Sequence, residues 1–334
     1  MEPKTQRKIV AILQILNNAG APLGSTRIAR ELHAQGIDLS NRTVRHYLGL
    51  MDESGLTESL GKRGRAITPR GEKELQGAMA AEKVGFMAAK VDALAYRMTF
   101  DLERLEGKVI LNISLIDTPY VHAAAREMIK VYAACLGMGQ YVALAAPGER
   151  LGDFVVPSGK FAIGTICSIT INGVLLKAGI VTHSRFGGLL EMRDGKPHRF
   201  TEIINYDGTT IDPLEIFIRG QMTHVSRAAA TGNGIVGASF RELPTVAIKE
   251  VERISVELER AGLGTALVIG RPNQPLLDVP VPQGRTGMIV MAGLNPLAAV
   301  EEKGIRTTNW AMKTMFEFHE LVPIDRLRKL VSHS

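Results

Sequence analysis

Basic and hydroxyl side chains gather in two short stretches near the N-terminus of the 334-residue chain. Arginine can make paired hydrogen bonds to the edge of guanine, and lysine and arginine side chains can hold phosphate groups. One stretch begins at residue 40, and in the other three cations surround a Gly-flanked turn. Together they predict a nucleic-acid interface made of Ser40, Asn41, Arg42, Thr43, Arg45, His46, Lys62, Arg63 and Arg65.

A second group of polar residues, farther along the chain, could bind a small anion. The loops 156–160 and 281–285 each place a cation after a turn glycine, and such loops can hold an anion through backbone N–H groups and the charge. The run 164–168 is small and hydroxyl-bearing, and 183–185 follow a predicted strand, where a His and an Arg could bind a carboxylate. The loops could equally be surface turns and the run a close-packed strand. The candidate residues are Ser158, Gly159, Lys160, Thr165, Cys167, His183, Arg185 and Arg285.

The sequence favours a binding protein over an enzyme. Cys167 and His183 could form a nucleophile pair, but nothing supplies the partner that would orient the histidine. No P-loop, H-E-x-x-H or G-x-S-x-G motif is present, and no G-x-G-x-x-G follows a strand. The two cysteines, Cys135 and Cys167, lie in apolar sequence without metal-ligand spacing, which suits a reducing cytoplasm. We therefore expect no catalysis, no metal and no cofactor.

Charge is distributed unevenly along the chain. Residues 1–80 carry 12 Lys and Arg against 8 Asp and Glu, whereas the remaining residues carry 28 against 26. A small basic domain joined to a large, nearly neutral one is typical of a nucleic-acid-binding regulator. No apolar stretch approaches the roughly 20 residues of a membrane-spanning helix, and no secretory signal opens the sequence. We expect a cytoplasmic protein without membrane contact.

The elements that must position the basic side chains read as a winged helix-turn-helix. Apolar residues at helical spacing predict a first helix through residue 16, and a second helix follows with Ser25 as its N-cap. Ser40 is a good N-cap for the third, flanked by the hydrophobic staple of Leu39 and Val44. Two short β-capable runs around residues 61–64 predict a hairpin. The charges could also be solvated surface, or the fold could bind RNA or protein.

The rest of the chain contains an internal repeat. A shift of 125 residues aligns 107–182 with 232–307 without a gap, including the two Pro-x-Gly-cation loops. Each half reads as strand, helix, strand, loop, strand and short helix, which predicts an α/β fold. In the first copy the longer helix is expected over Val121–Leu136. We therefore expect a winged helix over 1–75, a linker over 76–84 and an α/β domain over 85–330, with halves of approximately 85–205 and 206–330.

Nearly the whole chain resembles the archaeal nitrogen-regulation repressors of the NrpR family. The winged-helix likeness lies in 12–13, 22–32, 39–48 and 68–71, and it is only moderately specific, since a ribonuclease-associated module looks similar. The more specific likeness to the family's regulatory domain lies in 84–86, 92–96, 107–117, 157–160 and 164–168.

The resemblance implies a homodimeric or higher-oligomeric repressor that grips a palindromic operator in double-stranded DNA at nitrogen-assimilation or nitrogen-fixation genes. It implies 2-oxoglutarate as the inducer, an allosteric effector and not a cofactor. Some family members carry the regulatory domain twice, whereas this chain has it once, so a second regulatory-domain subunit is a further expected partner. The alternative function is a winged-helix module that binds RNA or protein without effector-controlled DNA binding.

Overall fold

The computed structural model describes residues 3–34, 36–82 and 86–331, and the side chains of 3–7 and 76–82 are left out of the description. Within it the chain divides into two units, Met1–Val84 and Gly85–Ser334. The N-terminal unit is built from α1 (Pro3–Ala19), α2 (Ser25–Ala34), α3 (Asn41–Glu53), β1 (Thr57–Ser59), β2 (Arg65–Ile67) and α4 (Pro69–Glu82).

The third helix begins where its sequence predicts. The Ser40 hydroxyl accepts a hydrogen bond from the Thr43 amide at 3.2 Å, which satisfies one of the free N–H groups of the first turn. Val44, Leu48 and Met51 are fully buried on the inner face of the helix. The prediction of Ser25 as an N-cap is off by one residue, because α2 includes Ser25 and its first hydrogen bonds go to the Gly24 carbonyl.

The predicted hairpin forms a wing that is tied to the helical core. β1 and β2 are antiparallel, and Leu23, between α1 and α2, exchanges two backbone hydrogen bonds with Arg65 at 2.9 and 3.0 Å. Gly64 passes close to this contact with φ 105° and ψ −148°, a conformation open essentially to glycine alone. A Cβ at Gly64 would lie 2.4 Å from the Leu23 carbonyl carbon and oxygen.

Gly64→Ala is expected to destabilise the N-terminal unit by about 1–3 kcal/mol, because the backbone conformation is strained for alanine and the Leu23 carbonyl must move. Gly61→Ala is the matched control: φ is 64°, but nothing lies within 4 Å of its Cβ, so about 1 kcal/mol is expected. Amide hydrogen exchange of α3 in the full-length variants measures the difference. Equal losses of stability in the two variants would mean that the Leu23 backbone can move away from a Cβ at position 64 without an energetic cost.

The segment predicted as a linker is largely helical. α4 continues through Glu82 and so covers most of 76–84. Residues 83 and 84, the end of that predicted linker, lie outside the described residues.

The C-terminal unit contains two five-stranded sheets. Its helices are α5 (Phe86–Arg97), α6 (Val121–Ala133), α7 (Ile169–Lys177), α8 (Pro213–Arg219), α9 (Val225–Thr231), α10 (Ile248–Arg260), α11 (Asn295–Glu302) and α12 (Asp325–Val331). Its strands are β3 (Lys108–Asp117), β4 (Tyr141–Ala145), β5 (Arg150–Leu151), β6 (Phe154–Val155), β7 (Lys160–Ile166), β8 (His183–Arg193), β9 (Lys196–Asn205), β10 (Gly234–Pro244), β11 (Ala266–Ile269), β12 (Arg285–Met291), β13 (Thr307–Glu317) and β14 (Val322–Pro323).

The strand orders are β13-β3-β7-β4-β14 in the first sheet and β11-β12-β10-β8-β9 in the second. The series β3, α6, β4, β7, α7, β8 recurs later in the chain as β10, α10, β11, β12, α11, β13. The last strand of each series lies in the sheet of the other, since β8 pairs with β10 and β13 pairs with β3. One buried apolar cluster includes residues of both sheets, so the C-terminal unit has a shared core.

Three details of the C-terminal unit differ from the sequence predictions. The helix expected over Val121–Leu136 ends at Ala133, because Cys135 takes a left-handed φ of 56° and the Leu136 amide donates back to the Val131 carbonyl. Cys135 is exposed and does not lie in an apolar environment. No strand ends directly before residues 183–185, because His183 itself begins β8, with five residues between it and the end of α7.

In the part of the chain that the structure describes, none of the helices combines the length and the apolar character needed to cross a bilayer.

Candidate functional site

The outer face of α3 presents a polar and basic surface. Arg42, Arg45 and His46 are exposed, while Val44 and Tyr47 turn into the core. Ser40 and Thr43 are joined through their hydroxyls at 2.8 Å, so the first turn of the helix is held by its own side chains. The sequence-predicted residues of α3 therefore lie together, with their donors near the helix N-terminus, where a recognition helix reaches base edges.

Asn41 couples α3 to the helix before it. Its side-chain nitrogen donates to the Thr26 hydroxyl of α2 at 2.9 Å, and its oxygen accepts from Arg45 Nε at 3.5 Å. Asn41 thus orients Arg45 more than it offers a free contact of its own. Among the described residues, the two terminal guanidinium nitrogens of Arg45 have no partner.

The wing keeps two of its three predicted cations exposed. Lys62 and Arg63 lie in a 3₁₀ turn at its tip. Arg65 instead donates from Nε to Asp52 Oδ2 at 2.8 Å, and Thr57 donates to the other Asp52 oxygen at 2.6 Å. The ion pair is about three-quarters buried, with exposures of 28% for Arg65 and 25% for Asp52. Arg65 therefore fixes the wing to the end of α3, a role that the sequence pattern did not indicate.

The predicted anion-binding residues do not form one site. Ser158 and Gly159 are exposed, and Lys160 pairs with Asp117 at 2.7 Å at an end of the first sheet. Arg285 begins β12 of the second sheet and faces Pro244 across the ladder. Although the two loops match in sequence, they belong to different sheets.

His183 and Arg185 lie near the same end of the second sheet as Arg285. Both face the buried Glu242: Arg185 Nη1 is 2.8 Å from one carboxylate oxygen and His183 Nδ1 is 3.9 Å from the other. Arg185 also donates to the Pro280 carbonyl at 2.6 Å. Arg185 thus binds the carboxylate of Glu242, which also lies close to His183, in place of a carboxylate from a ligand.

Thr165 and Cys167 are buried in the interior of the unit. The Thr165 hydroxyl accepts from Asn112 Nδ2 at 3.2 Å, within the ladder of β3 and β7. Cys167 follows β7 and lines a small internal cavity, whose volume of about 20 Å³ has room for roughly one water molecule. Burial raises the pKa of its thiol to about 11, so Cys167 is an unreactive thiol at neutral pH.

This cavity is the polar site that the sequence predictions missed. Residues from both repeated series line it: Asn112, Cys167, Ser168, Ile169, Tyr206, Asp212, Leu214, Ser239, Ala292, Gly293, Leu294 and Ala311. Two of the lining segments, 167–169 and 292–294, are 125 residues apart, so they are equivalent positions of the repeat. The cavity therefore lies where the two series meet.

Arg241 of β10 lies beside this cavity and is fully buried. Its Nη2 donates to the Ser168 hydroxyl at 2.9 Å. Burial lowers its pKa to about 10, which still leaves the guanidinium charged at neutral pH. One signal for it existed in the sequence: Arg241 replaces Ile116 of the first repeat copy, a charge at an otherwise apolar strand position.

Asp212 and Tyr206 complete the polar lining of the cavity. Burial raises the pKa of Asp212 to about 7 against the opposing effect of the Leu214 amide, whose N–H donates to its carboxylate at 2.9 Å. Burial also raises the pKa of Tyr206 well above its ordinary value, so its phenol stays neutral. Near neutral pH the surroundings of the cavity thus hold the charged guanidinium of Arg241 and a partly protonated carboxylate, and Lys90 Nζ donates to the carbonyl of the lining residue Ala311 at 3.1 Å.

Across the described residues, no three His, Cys, Asp or Glu side chains are grouped closely enough to hold a metal ion.

Two family models match the chain. Residues 84–323 match NrpR regulatory domains NRD1 and 2, and residues 10–75 match the ribonuclease R winged-helix domain.

Several relatives are regulators of nitrogen metabolism by name. The global nitrogen regulator NrpRI of Methanosarcina mazei is 33% identical over 97% of this chain and 100% of its own length. The global nitrogen regulators NrpR of Methanococcus maripaludis and Methanocaldococcus jannaschii are each 31% identical, over 88% and 89% of this chain. The chain spans 51% of the length of each of these two. The crystal structure of a nitrogen repressor-like protein from Methanococcus jannaschii matches with a TM-score of 0.60 at 27% identity, over 71% of this chain and 97% of that one.

Proposed function

The chain belongs to the NrpR family of nitrogen regulators, and from this premise we propose that it is a DNA-binding repressor released from its operator by 2-oxoglutarate. Its targets are nitrogen-assimilation or nitrogen-fixation genes. The protein is a transcriptional regulator without enzymatic activity, it needs no cofactor, and it works in the cytoplasm. Residues 1–75 bind DNA, 76–84 link the domains and 85–330 sense the effector.

The single observation that carries DNA binding is the exposed basic face of α3. Arg42, Arg45 and His46 project from a helix whose first turn is capped by Ser40, and Lys62 and Arg63 extend from the wing of the same unit. A major groove admits one α-helix, whose arginines can read guanine while the wing holds phosphates. This arrangement supports DNA as the ligand.

A palindromic operator follows if the repressor is a homodimer. Two-fold symmetry places two copies of α3 on half-sites spaced by one helical turn of DNA or a multiple of it. An effector that binds the other arrangement of the dimer more tightly shifts the population away from the operator. This chain spans half the length of two relatives, which supports a second subunit that supplies another regulatory domain.

The repeat in the C-terminal unit supports an origin by duplication. The residue matches at a shift of 125 and the recurring series of elements favour two related halves, approximately 85–205 and 206–330. We infer that the cavity lies at the interface between these two halves.

Selection from a random DNA library, followed by titration with 2-oxoglutarate, tests the proposed function. We expect the protein to select a palindrome and to release it at millimolar 2-oxoglutarate, with succinate and glutamate inert. If the protein selected a palindrome but 2-oxoglutarate did not release it, the repressor assignment would stand and 2-oxoglutarate would be rejected as its effector. Failure to select any DNA would overturn the proposal.

The alternative is a winged-helix module that binds RNA or protein. The match of residues 10–75 to the ribonuclease R winged-helix domain favours it. A steep salt dependence together with preference for one palindrome supports the DNA repressor, whereas weak, sequence-blind binding supports the alternative.

Lys62→Ala is expected to weaken binding to all DNA sequences alike, because an exposed wing lysine holds phosphate and reads no base. The slope of log affinity against log salt should fall by about 1 for each protomer. Titrations of specific and random duplexes at several salt concentrations measure both effects. Lys249→Ala, which removes an exposed lysine of α10, is the charge-matched control. A change in base preference for Lys62→Ala would assign the wing to sequence readout instead.

A further inference from the structure

Arg241 is a buried cation without a carboxylate partner among the described residues. Its exposure is 0%, and only Nη2 has a hydrogen-bond partner there, the Ser168 hydroxyl. Nε and Nη1 have none. Removing a guanidinium from water costs several kcal/mol unless its charge is paired and its donors are satisfied. The unpartnered donors of Arg241 are therefore candidates for contact with a ligand.

Two buried serine hydroxyls lie close to Arg241. Ser239 lies two residues earlier on the same face of β10, and its buried hydroxyl also lacks a partner in the described part of the chain. Ser168 and Ser239 both line the internal cavity. Phe240, between Ser239 and Arg241, turns to the opposite face, where it stacks on Phe186. Two serine hydroxyls thus line this small space, and Arg241, beside the lining, contacts it through Ser168.

We propose that this cavity is a carboxylate-binding site in which Nε and Nη1 of Arg241 and the Ser239 hydroxyl receive one carboxylate group of the effector. The assignment rests on the proposed function for the identity of that effector. Hydrogen bonds between a guanidinium and a carboxylate are roughly twice as strong as neutral ones, and burial strengthens them further.

The repeat limits the protein to one such site in each chain. Ser114 is the equivalent of Ser239, and its hydroxyl is likewise buried without a described partner. The equivalent of Arg241 is Ile116, which brings no charge. Only the copy on β10 can neutralise a carboxylate, so binding saturates at one effector per chain.

The size of the cavity couples binding to a change of shape. It has room for roughly one water molecule, about 20 Å³, which is too little for a dicarboxylate. Tyr206 and Asp212 line the cavity and bound the segment 206–212, in which residues 207, 208 and 211 are exposed and 209 and 210 are half-buried. A bound dicarboxylate must displace this lining, and a ligand that fits only the displaced arrangement shifts the population toward it.

Calorimetric titration of the full-length chain tests the site with 2-oxoglutarate, succinate, glutamate and acetate as probes. We expect Arg241→Met to weaken 2-oxoglutarate binding by about 100-fold and Ser239→Ala by about 10-fold. Arg241→Lys, which keeps the charge but not the planar donor group, should fall between the wild type and Arg241→Met. Arg126→Met, on the exposed face of α6, is the neutral control.

A stability measurement separates this role from a structural one. If Arg241 serves only the fold, Arg241→Met destabilises the protein; if it awaits a ligand, the variant is at least as stable as the wild type without effector. Trp310 on β13 is the only tryptophan and reports unfolding of the C-terminal unit. Should Arg241→Met fail to fold, Ser239→Ala, which removes an unpartnered hydroxyl, still measures the site.

The outcomes separate this inference from the proposed function. Wild-type affinity in both Arg241→Met and Ser239→Ala would overturn the site while leaving the repressor and its effector in place. Loss of binding only in Arg285→Met would move the site to Arg285, at the start of β12, and overturn it at Arg241. If another of the carboxylate probes bound through Arg241 and 2-oxoglutarate did not bind, the site would be supported and 2-oxoglutarate would be removed from the proposed function. A wild type that binds none of the probes would overturn both.

Discussion

Arg45→Ala should lower operator affinity by about 1–3 kcal/mol for each half-site and relax the choice of the base that Arg45 faces. On a palindrome bound by a dimer both half-sites lose the contact, so the loss is roughly doubled. The reason is geometric: Asn41, held by Thr26, orients the Arg45 side chain through Nε and leaves its terminal nitrogens to the DNA. Titrations against the selected palindrome and its single-base variants measure both effects.

Arg45→Lys is the matched variant for this prediction. It keeps the charge but cannot make the paired contact to guanine, so base preference should be lost while non-specific affinity is retained. Arg126→Ala, an exposed arginine of α6, controls for the loss of a charge elsewhere. Unchanged operator affinity in Arg45→Ala would show that α3 is not the recognition helix.

Asp212→Asn is expected to make the protein more stable at pH 8 and to leave it unchanged near pH 4. Asp212 is buried, its pKa is raised to about 7, and its carboxylate caps α8 by accepting from the Leu214 amide. Asparagine caps a helix about as well as aspartate, so the substitution removes the titration and keeps the hydrogen bond.

The pH window follows from the direction of the shift. Below about pH 4 the carboxyl is protonated in both the folded and the unfolded chain, and the wild type and the variant are alike. As the pH rises toward 7 the unfolded chain loses this proton while the folded chain keeps it, so stability falls by about 1.4 kcal/mol per pH unit. Over the window this amounts to about 4 kcal/mol, and above pH 7 the difference levels off.

Urea unfolding followed by Trp310 fluorescence at pH 4.5, 6 and 8 measures this difference. Titrations of other groups are common to the two proteins and cancel in the comparison. Asp92→Asn, which alters an exposed aspartate of α5, should give no pH-dependent difference. A gap between the wild type and Asp212→Asn that stayed constant with pH would mean that Asp212 titrates normally in the folded protein.

Local signals in the sequence were sufficient for the N-terminal unit. The Ser40 cap, the buried spacing of Val44, Leu48 and Met51, and the Gly-flanked wing are set by residues a few positions apart. The ion pair between Arg65 and Asp52 joins residues that no periodic pattern relates. The sequence therefore predicted Arg65 only as a free cation of the wing.

The C-terminal unit was predictable in its elements but not in their pairing. The repeat shows two similar series, yet nothing local says that β8 leaves its own series to pair with β10. The same gap explains the candidate site. Lys160 and Arg285 match in sequence, but the fold assigns them to separate sheets, and Arg185 is occupied by Glu242. Arg241 was missed because it stands next to Glu242 in the sequence, which suggests a paired charge. Only the structure shows that Arg241 is buried and that no described carboxylate pairs with it.

The exchange of β8 and β13 determines how the chain joins the two sheets of the C-terminal unit. Among the described strands, the chain passes from one sheet to the other twice, between β7 and β8 and between β12 and β13. Each crossing contains one helix, α7 or α11, followed by a short connection into the exchanged strand, residues 178–182 and 303–306. Each contains a left-handed glycine, Gly179 with φ 77° and Gly304 with φ 80°. Both crossings also begin at the cavity, because residues 167–169 and 292–294 line it, so a ligand wedged between the repeats would press on both crossings together.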